Sequence, residues 1–223
     1  MKVCTDACLF GASIASAIGD DPQQRFAKCL DIGAGTGLLS LMLAQKNTHM
    51  KFDAVEIEEN AYGQAKENFS NSKWTDRLNI FLSDIKDFAP GKKYDLIITN
   101  PPFYESDVPS AEKNKNIAKH NESLLLKDLI PVVNSHLANT GWLAILLPYH
   151  RAEYFECIAA ENNLFLHKKV SVRQTPSHPF FRVMLLFCRD KTRIEEEEIT
   201  IKNHEGEYSK SFNALLKDYY LKL

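Results

Sequence analysis

Short apolar runs alternate along the chain with longer stretches in which apolar residues recur every three or four positions. The apolar runs predict seven strands, at residues 28–35, 51–57, 78–84, 94–100, 141–148, 165–174 and 181–189. The stretches between them predict four helices, at residues 38–45, 59–72, 122–137 and 152–163, the third of them interrupted near Pro131. Alternating strands and helices are typical of a mostly parallel sheet with helices on both faces.

The last two predicted strands depart from this alternation, because only the segment "TPSHPF" separates them. Such a connection indicates an antiparallel hairpin, which makes the sheet mixed. The chain has no internal repeat and no clear linker, so we expect a single α/β domain over residues 1–223.

Composition narrows the choice of partners and compartments. The chain of 223 residues is 44% hydrophobic, which suits a domain with a substantial core, and its net charge of -2 gives no overall basic surface. Contact with a nucleic acid would therefore depend on a local cluster of cations.

The five cysteines, together with His120, His178 and His204, show no metal-ligand spacing, so we expect no metal. Reduced thiols fit a cytoplasmic protein, and no apolar run reaches the roughly 20 residues that a membrane helix needs.

The segment "LDIGAGTG" places Gly33, Gly35 and Gly37 in the turn between the first predicted strand and the first predicted helix. Glycine allows positive φ and a close approach of the backbone to a ligand, and the helix that follows offers free N–H groups. A dinucleotide fingerprint would need a glycine in place of Leu38. The compact turn, with Asp31 before it, is instead similar to motif I of S-adenosylmethionine (SAM)-dependent methyltransferases. A turn that only connected a strand to a helix would not need three glycines in five residues.

Two further strand ends carry pairs of acidic and apolar residues. Glu56 lies at the end of the second predicted strand, where its carboxylate can accept hydrogen bonds from both hydroxyls of a cofactor ribose, and Ile57 would pack on the adenine ring. Asp84 and Ile85 close the third strand and resemble the pair that, in this fold, binds the adenine amino group and covers its face. Asp84 could equally serve as an N-cap for the residues that follow it.

The fourth predicted strand ends in "ITNPPFYE", which is unusual because proline cannot donate to a sheet ladder. The carboxyl end of this strand would open into the ligand crevice of a parallel sheet. There the Asn100 side-chain oxygen and the Pro101 carbonyl can accept both hydrogens of a planar amino group and direct its lone pair at a SAM methyl group. Pro101 and Pro102 would stiffen the loop, and Phe103 offers a ring on which a planar target can stack. The alternative, a proline-terminated strand with a core phenylalanine, is disfavoured by the glycine turn.

Across nearly its whole length the chain resembles the bacterial tRNA (adenine-37)-N6-methyltransferase family that modifies valine tRNA. The matching stretches are "MKVCTDACLFGA", "CLDIGAGTGLLSLMLAQ", "DAVEIEENA", "YDLIITNPPFY", "FRVMLLF" and "YSKSFNALLKDYY". The resemblance implies a Rossmann-like fold with a seven-stranded sheet, SAM as the methyl donor, and an adenine amino group in the anticodon loop of tRNA as the acceptor. It also implies that residues 1–20 cover the cofactor, with Lys2, Thr5 and Asp6 over its methionine end.

Two features depart from the family pattern. Members usually carry a further stretch before the segment that begins here at Met1, and Cys4 stands where a glycine is common. If upstream residues help to hold tRNA or to close the cofactor site, we expect this chain to bind SAM but to methylate poorly.

Two clusters of basic residues flank the predicted crevice, one in the segment 104–121, which we expect to be a substrate-side loop, and one in the hairpin. Their members are Lys113, Lys115, Lys119, His120, Lys168, Lys169, Arg173, His178 and Arg182. A single lysine is more typical of solvated surface, but two clusters at one crevice indicate contact with RNA. The residues that we predict to bind the substrate are Phe103, Tyr104, Lys119, Arg173 and Arg182. The four glutamates at 195–198 indicate a solvated face.

Other functions fit parts of this pattern. Methylation of a glutamine amide in a protein such as a release factor would use the same two acceptors, as would methylation of another adenine in RNA or DNA. NAD-dependent oxidoreduction is disfavoured by Leu38 and by the lack of an evident catalytic Tyr/Lys or His pair after the glycine turn. A SAM-binding RNA chaperone without catalytic activity would not need the acceptors at Asn100. We therefore expect a monomeric SAM-dependent enzyme that methylates N6 of adenine 37 in valine tRNA.

Overall fold

The computed structural model describes residues 4–19, 25–101 and 126–221 of the chain. Within these ranges, six α-helices surround one sheet of eight strands. The strands are β1 (Lys28–Ile32), β2 (Lys51–Glu56), β3 (Leu78–Leu82), β4 (Tyr94–Thr99), β5 (Leu137–Pro148), β6 (Phe165–Arg173), β7 (Phe180–Cys188) and β8 (Glu195–Thr200). The helices are α1 (Thr5–Ile18), α2 (Leu38–Lys46), α3 (Glu59–Ser70), α4 (Leu126–His136), α5 (Ala152–Glu161) and α6 (Lys210–Leu216).

The strand order across the sheet is β3-β2-β1-β4-β5-β7-β6-β8. Strands β1 to β5 pair in parallel, whereas β7 is antiparallel to both of its neighbours, β5 and β6. The predicted α/β class, the mixed sheet and the hairpin of β6 and β7 are confirmed. From β1 the chain moves outward to β3 and then returns to β4 on the other side of β1. Open α/β sheets bind their ligands at such a reversal, outside the carboxyl ends of the strands.

The predicted number of seven strands is wrong, because an eighth strand, β8, follows the hairpin and pairs in parallel with β6. Its first four residues are the glutamates at 195–198, which are all exposed. The alternation of apolar and polar residues that reveals a half-buried strand is therefore missing from the sequence. β8 lies at the edge of the sheet, where charged side chains disfavour the addition of further strands.

Apolar side chains fill both faces of the sheet. On one face α1, α2 and α6 contribute buried residues such as Leu9, Leu43 and Phe212, and on the other α4 and α5 contribute Val133 and Phe155. Both layers are needed because the central parallel strands are apolar on both sides. The prediction of helices on both faces is confirmed.

Helix α4 runs through Pro131 without the predicted interruption. Pro131 itself is exposed, whereas Ile130 and Val133 beside it are buried. Burial of this apolar face offsets the backbone hydrogen bond that proline cannot make. β5 begins at Leu137, directly after the helix and earlier than its predicted start at residue 141.

Helix α1 packs closely against α2 and is covered by α6. A β-carbon at Gly11 would lie 2.7 Å from the sulfur of Met42, so glycine at this position lets the two helices approach. Tyr219, just beyond α6, donates a hydrogen bond to the Met42 carbonyl at 3.3 Å. The described parts of the first and last stretches that carry the family resemblance therefore pack in one layer, on the same face of the sheet.

Candidate functional site

The glycine turn joins β1 to α2 at the point where the strand order reverses. Gly33, Gly35 and Gly37 have positive φ values of 68°, 58° and 79°. A β-carbon at Gly37 would overlap the ring of Phe69, so this glycine is needed for the packing of α3. A β-carbon at Gly33 would meet nothing within 4 Å, so the turn faces open space there. Gly37 thus allows α3 to pack against the turn, and Gly33 leaves space beside the turn that a ligand could occupy.

Asp31 is fully buried beneath this turn, and its two carboxylate oxygens differ in their hydrogen bonds. Oδ2 accepts hydrogen bonds from the backbone N–H (3.2 Å) and the hydroxyl (2.7 Å) of Ser40. Oδ1 has no hydrogen-bond partner among the described residues. Burial raises the pKa of Asp31 to about 6. The hydrogen bonds from Ser40 act to lower this pKa, and the charge of Glu56 acts to raise it. Because a buried acceptor without a partner is unfavourable, Oδ1 marks a position where a donor from a ligand would be stabilising.

Glu56, at the end of β2, lies over the glycine turn. Its Oε2 accepts a hydrogen bond from the N–H of Gly35 at 2.7 Å, and its Oε1 accepts from the N–H groups of Ile57 and Glu58 at 2.9 Å each. Oε2 keeps a lone pair for a further donor. Ile57 is 59% exposed, which places an apolar surface beside the carboxylate. This pair matches the ribose hydroxyls and the flat base of a nucleoside.

Asp84 and Ile85 lie next to Glu56, because the N–H of Ser83 donates to the Glu56 carbonyl at 3.0 Å. Oδ1 of Asp84 accepts a hydrogen bond from the N–H of Lys86 at 2.9 Å. The capping role left open for Asp84 is therefore present, although it caps a turn and not a helix. Ile85 is buried in the core beneath this edge of the sheet.

Asn100 follows the central strand β4, beside the glycine turn. The hydroxyl of Thr99 donates to the Ile32 carbonyl at 3.0 Å, which ties the end of β4 to the end of β1. Oδ1 of Asn100 is buried without a partner among the described residues, and Pro101 is buried as well. Four buried side-chain atoms lack a hydrogen-bond partner among the described residues, and two of them are Oδ1 of Asp31 and Oδ1 of Asn100. Asp31 lies on β1 and Asn100 directly follows the neighbouring strand β4, at the predicted site.

Part of the predicted site lies outside the described residues. This part comprises the segment 104–121 and the residues Lys2, Pro102, Phe103, Tyr104 and Lys119. The roles assigned to these residues, and the cofactor roles of the residues around the glycine turn, stay predictions.

Thr5 and Asp6 begin α1 at the carboxyl edge of the sheet. Oδ2 of Asp6 accepts a hydrogen bond from Nε of Arg182 at 2.9 Å, in an ion pair whose two side chains are about one-fifth exposed. Arg182 lies near the start of β7, opposite Pro148 at the end of β5. The ion pair thus joins a residue predicted to bind the cofactor to one predicted to bind the substrate.

The basic residues of the hairpin are paired with acids of the same chain. The pairs are Lys168 with Glu197 (2.6 Å), Lys169 with Glu156 (2.8 Å), Arg173 with Glu198 (2.8 Å) and Arg182 with Asp6 (2.9 Å). His178 contacts the hydroxyl of Thr175 at 2.7 Å instead. The sequence does not reveal the glutamate partners, because β8 reaches the hairpin only by pairing with β6. The hairpin cluster is therefore partly neutralised within the protein, and its predicted contacts with RNA stay predictions.

Two aromatic side chains absent from the predicted site lie at the same edge. Tyr149 follows Pro148 at the end of β5, and its ring centroid lies 5.2 Å from that of Phe180 at the start of β7. The guanidinium of Arg173 lies 5.0 Å from the centre of the Phe180 ring. Each aromatic residue directly follows a proline, as at residues 102–103, and this repeated pattern at strand ends is the signal that could have identified them.

Metal-ligand clusters and membrane-spanning helices are both absent from the described residues. The described residues contain no group of three or more His, Cys, Asp or Glu side chains that could hold a metal ion. None of the helices in the described ranges is long and apolar enough to cross a membrane.

Relatives of known family match the chain over its whole length. The model of the methyltransferase small domain family matches residues 16–153, which include the glycine turn, Glu56 and Asn100. The tRNA1(Val) (adenine(37)-N6)-methyltransferases of Flavobacterium psychrophilum and Dyadobacter fermentans are 37% and 39% identical to this chain. Their alignments cover 100% of this chain and 94% and 91% of the relatives.

Solved methyltransferase structures share the fold. A predicted O-methyltransferase from Agrobacterium tumefaciens has a TM-score of 0.71 over 95% of each chain, at 12% identity. A glycopeptide N-methyltransferase complexed with SAM has a TM-score of 0.58 over 81% of this chain and 94% of its own, at 11% identity. The expected Rossmann-like methyltransferase fold is confirmed. The chain belongs to the methyltransferase small domain family and to the family of tRNA1(Val) (adenine(37)-N6)-methyltransferases.

Proposed function

We propose that this chain transfers the methyl group of SAM to N6 of adenine 37 in tRNA1(Val). The names of relatives that align over the whole chain support this substrate. The single structural observation that carries the proposal is Oδ1 of Asn100 directly after β4, beside the glycine turn, which is buried and has no hydrogen-bond partner in the part of the chain that the structure describes.

The residues around the glycine turn suit SAM. Oδ1 of Asp31 can accept a hydrogen bond from the ammonium of the methionine part, Oε2 of Glu56 can accept one from the ribose, and Ile57 can cover the adenine ring. The open space at Gly33 leaves room for the backbone to approach a ligand. The other members of the proposed set are Lys2, Thr5, Asp6, Asp84 and Ile85. When bound, SAM supplies an electrophilic methyl group on a sulfonium sulfur.

Asn100 and Pro101 are proposed to hold the amino group that receives the methyl. The lone pair of an exocyclic amine is delocalised into its ring, so the planar nitrogen is a poor nucleophile. Oδ1 of Asn100 and the carbonyl of Pro101 accept its two N–H hydrogens and favour a pyramidal nitrogen whose lone pair points at the methyl carbon. The new N–C bond forms as the S–C bond breaks, and one amino proton then leaves to solvent.

Free thiols support a compartment for this activity. No disulfide bond joins any of the five cysteines, all of which lie within the described residues, and Cys157 is exposed. Exposed free thiols fit a reducing environment. We propose that the enzyme acts in the cytoplasm; its monomeric state stays a prediction.

The proposed function is tested by incubating the protein with tRNA1(Val) transcript and SAM labelled in its methyl group, followed by nucleoside mass spectrometry. We expect the label in N6-methyladenosine. A transcript with guanine in place of adenine 37 is the matched control and should receive no label. Label in this control, or label found only in the glutamine of an added protein such as a release factor, would exclude the proposed substrate.

A further inference from the structure

A second cavity opens at the carboxyl edge of the sheet, beyond β5 as seen from the glycine turn. Its volume is about 270 Å³. Its lining includes Thr5, Asp6, Gln174, Phe181, Lys202 and Tyr208. None of the residues of the glycine turn contributes to its lining. The cavity is therefore separate from the proposed place of the SAM adenosine.

The far wall of the cavity is held in place by several contacts. The N–H of Lys202 donates to the Gln174 carbonyl at 2.9 Å, and Lys202 and Tyr208 form an antiparallel bridge. The Tyr208 ring stacks on the fully buried Phe212, with centroids 4.4 Å apart and an angle of 9° between the planes. Tyr208 is nevertheless 40% exposed. One face of this ring is thus fixed against the core while part of the side chain stays accessible.

The chemistry of the cavity suits a nucleotide. Phe181 and Tyr208 supply aromatic surface, and sequence-tolerant binding of unpaired bases relies on such surfaces. Nζ of Lys202 lies 5.9 Å from the centre of the Tyr208 ring. Lys168, Lys169 and Arg173 of the hairpin form salt bridges, whereas Lys202 forms none within the described residues. An ammonium group in this position can contact a phosphate. The exposed amide of Gln174 can both donate to and accept from a base edge.

The position of the cavity excludes the target adenine as its occupant. The cavity lies at the ends of β7, β6 and β8, which are two, three and four strands away from β4 in the sheet. With neighbouring strands roughly 4.8 Å apart, it is roughly 10 to 20 Å from Asn100 along the edge. A base held at Asn100 cannot reach that far, whereas an adjoining nucleotide of the same strand can. Thr5 and Asp6, which are proposed to lie over the methionine end of SAM, also line the cavity, so the two binding places adjoin at the start of α1.

We propose that this cavity binds a nucleotide adjacent to adenine 37 in the anticodon loop. Its base stacks on Tyr208, and its phosphate contacts Lys202. This inference rests on the proposed function and adds a second binding position, which holds the strand in register while the target adenine is splayed out.

The test compares Tyr208→Leu, which removes the aromatic face, with Tyr208→Phe, which keeps it. Tyr154→Leu on α5 is the matched control, because Tyr154 is also exposed and lies outside the cavity. We expect Tyr208→Leu to raise the KM for tRNA on the order of tenfold, with an unchanged Kd for SAM, and we expect Tyr208→Phe and Tyr154→Leu to resemble the wild type. Thermal unfolding of each variant shows whether loss of the contact with Phe212 has changed stability.

A second variant, Lys202→Gln, avoids the packing contact. In a plot of the logarithm of the tRNA binding constant against the logarithm of the salt concentration, this variant should have a slope that is shallower by about one. Such a change is expected for the loss of one phosphate contact. Transcripts that lack the base immediately before or after adenine 37 complete the experiment. For one of these transcripts the wild type and Tyr208→Leu should have the same raised KM, because the partner of Tyr208 is missing.

The outcomes separate the two proposals. If the wild type methylates tRNA but Tyr208→Leu and Lys202→Gln match Tyr154→Leu, the cavity proposal is wrong and the proposed function stands. If the wild type labels no tRNA, both are wrong. An effect of Tyr208→Leu on methylation of a protein glutamine, without an effect on tRNA, would assign the cavity to a peptide and overturn the proposal.

Discussion

Asn100 places an amide oxygen in a buried position where no other described residue forms a hydrogen bond with it. An amide can accept hydrogen bonds without carrying a charge, so it can sit beside a cationic methyl donor without ion pairing with it. The role proposed for Asn100 is therefore to orient an amine, and it requires no strong base. This separates the residue from the acidic residues of the site, which are proposed to bind the cofactor.

Asn100→Ala should reduce kcat by roughly 100-fold or more, as found when one transition-state hydrogen bond is removed. Its Kd for SAM should remain close to that of the wild type, and stability should change little because Oδ1 has no partner among the described residues. Glu56→Gln is the matched comparison and should weaken SAM binding while leaving kcat at saturating SAM nearly intact. Isothermal titration with SAM and methyl transfer at saturating substrates distinguish the two. Unchanged turnover of Asn100→Ala would refute its role.

Asp31 predicts a dependence of stability on pH. Burial raises its pKa from 3.8 in the unfolded chain to about 6 in the folded protein. Between these two pKa values the folded state binds more protons than the unfolded state. The contribution of Asp31 to the free energy of unfolding therefore falls as the pH rises through this range, and it stays low above pH 6. Asp31→Asn has no charge to bury and should be more stable than the wild type at pH 7 by roughly 1 to 3 kcal/mol.

Urea unfolding of both proteins between pH 4 and pH 7 measures this difference. If Oδ1 of Asp31 accepts a hydrogen bond from the SAM ammonium, the stabilised variant should bind SAM more weakly. Equal pH dependence of the two unfolding curves would show that Asp31 is not the titrating group.

At the scale of elements, β8 changes the electrostatics of the hairpin. It brings glutamates next to β6, so that Lys168 and Arg173 face acids across the strand pair. Ion pairs between exposed side chains contribute little to stability, about 1 kcal/mol or less. The strand nevertheless reduces the positive potential that would attract RNA to the hairpin.

Glu198→Gln should therefore increase the affinity for tRNA by roughly two- to fivefold at low salt, because it releases Arg173 from its ion pair. Glu196→Gln is the matched control, since it removes the same charge from the same strand and Glu196 forms no salt bridge among the described residues. Filter binding over a range of salt concentrations gives both affinities. Equal effects of the two substitutions would mean that Arg173 does not contact RNA.

At the scale of the whole molecule, the two ends of the described chain pack on one face of the sheet. α6 contacts α1, and the buried Phe212 lies in the same core cluster as Leu9 and Leu43. Asp6, at the start of α1, pairs with Arg182 on β7. The segment proposed to cover the cofactor is therefore held by both the sheet and α6.

Phe212→Ala should lower the free energy of unfolding by about 3 to 5 kcal/mol, because it leaves a cavity in a fully buried position. Leu221→Ala is the control from the same end of the chain, since Leu221 is fully exposed and should change stability by less than about 0.5 kcal/mol. Chemical denaturation measures both. Similar losses in the two variants would show that α6 is not part of the cooperative core.

The sequence predicts the positions of the candidate site residues in the fold better than those of the residues around them. The glycine turn, Glu56 and Asn100 are recognisable because each lies within a few residues of the end of an apolar strand, so local pattern is sufficient. The pairing of Arg173 with Glu198 depends on strand order, which no local pattern contains. β8 is missed for a related reason: its consecutive glutamates lack the alternation of a half-buried strand.

The contact between α1 and α6 also constrains how the protein is made. α1 leaves the ribosome early and α6 only near the end of the sequence, so one side of α1 has no cover during most of synthesis. Such exposed apolar surface makes an incomplete chain prone to aggregation and a substrate for chaperones. Since α1 also carries Thr5 and Asp6, a chain whose translation stops before α6 would lack this support for two residues that are proposed to bind the cofactor.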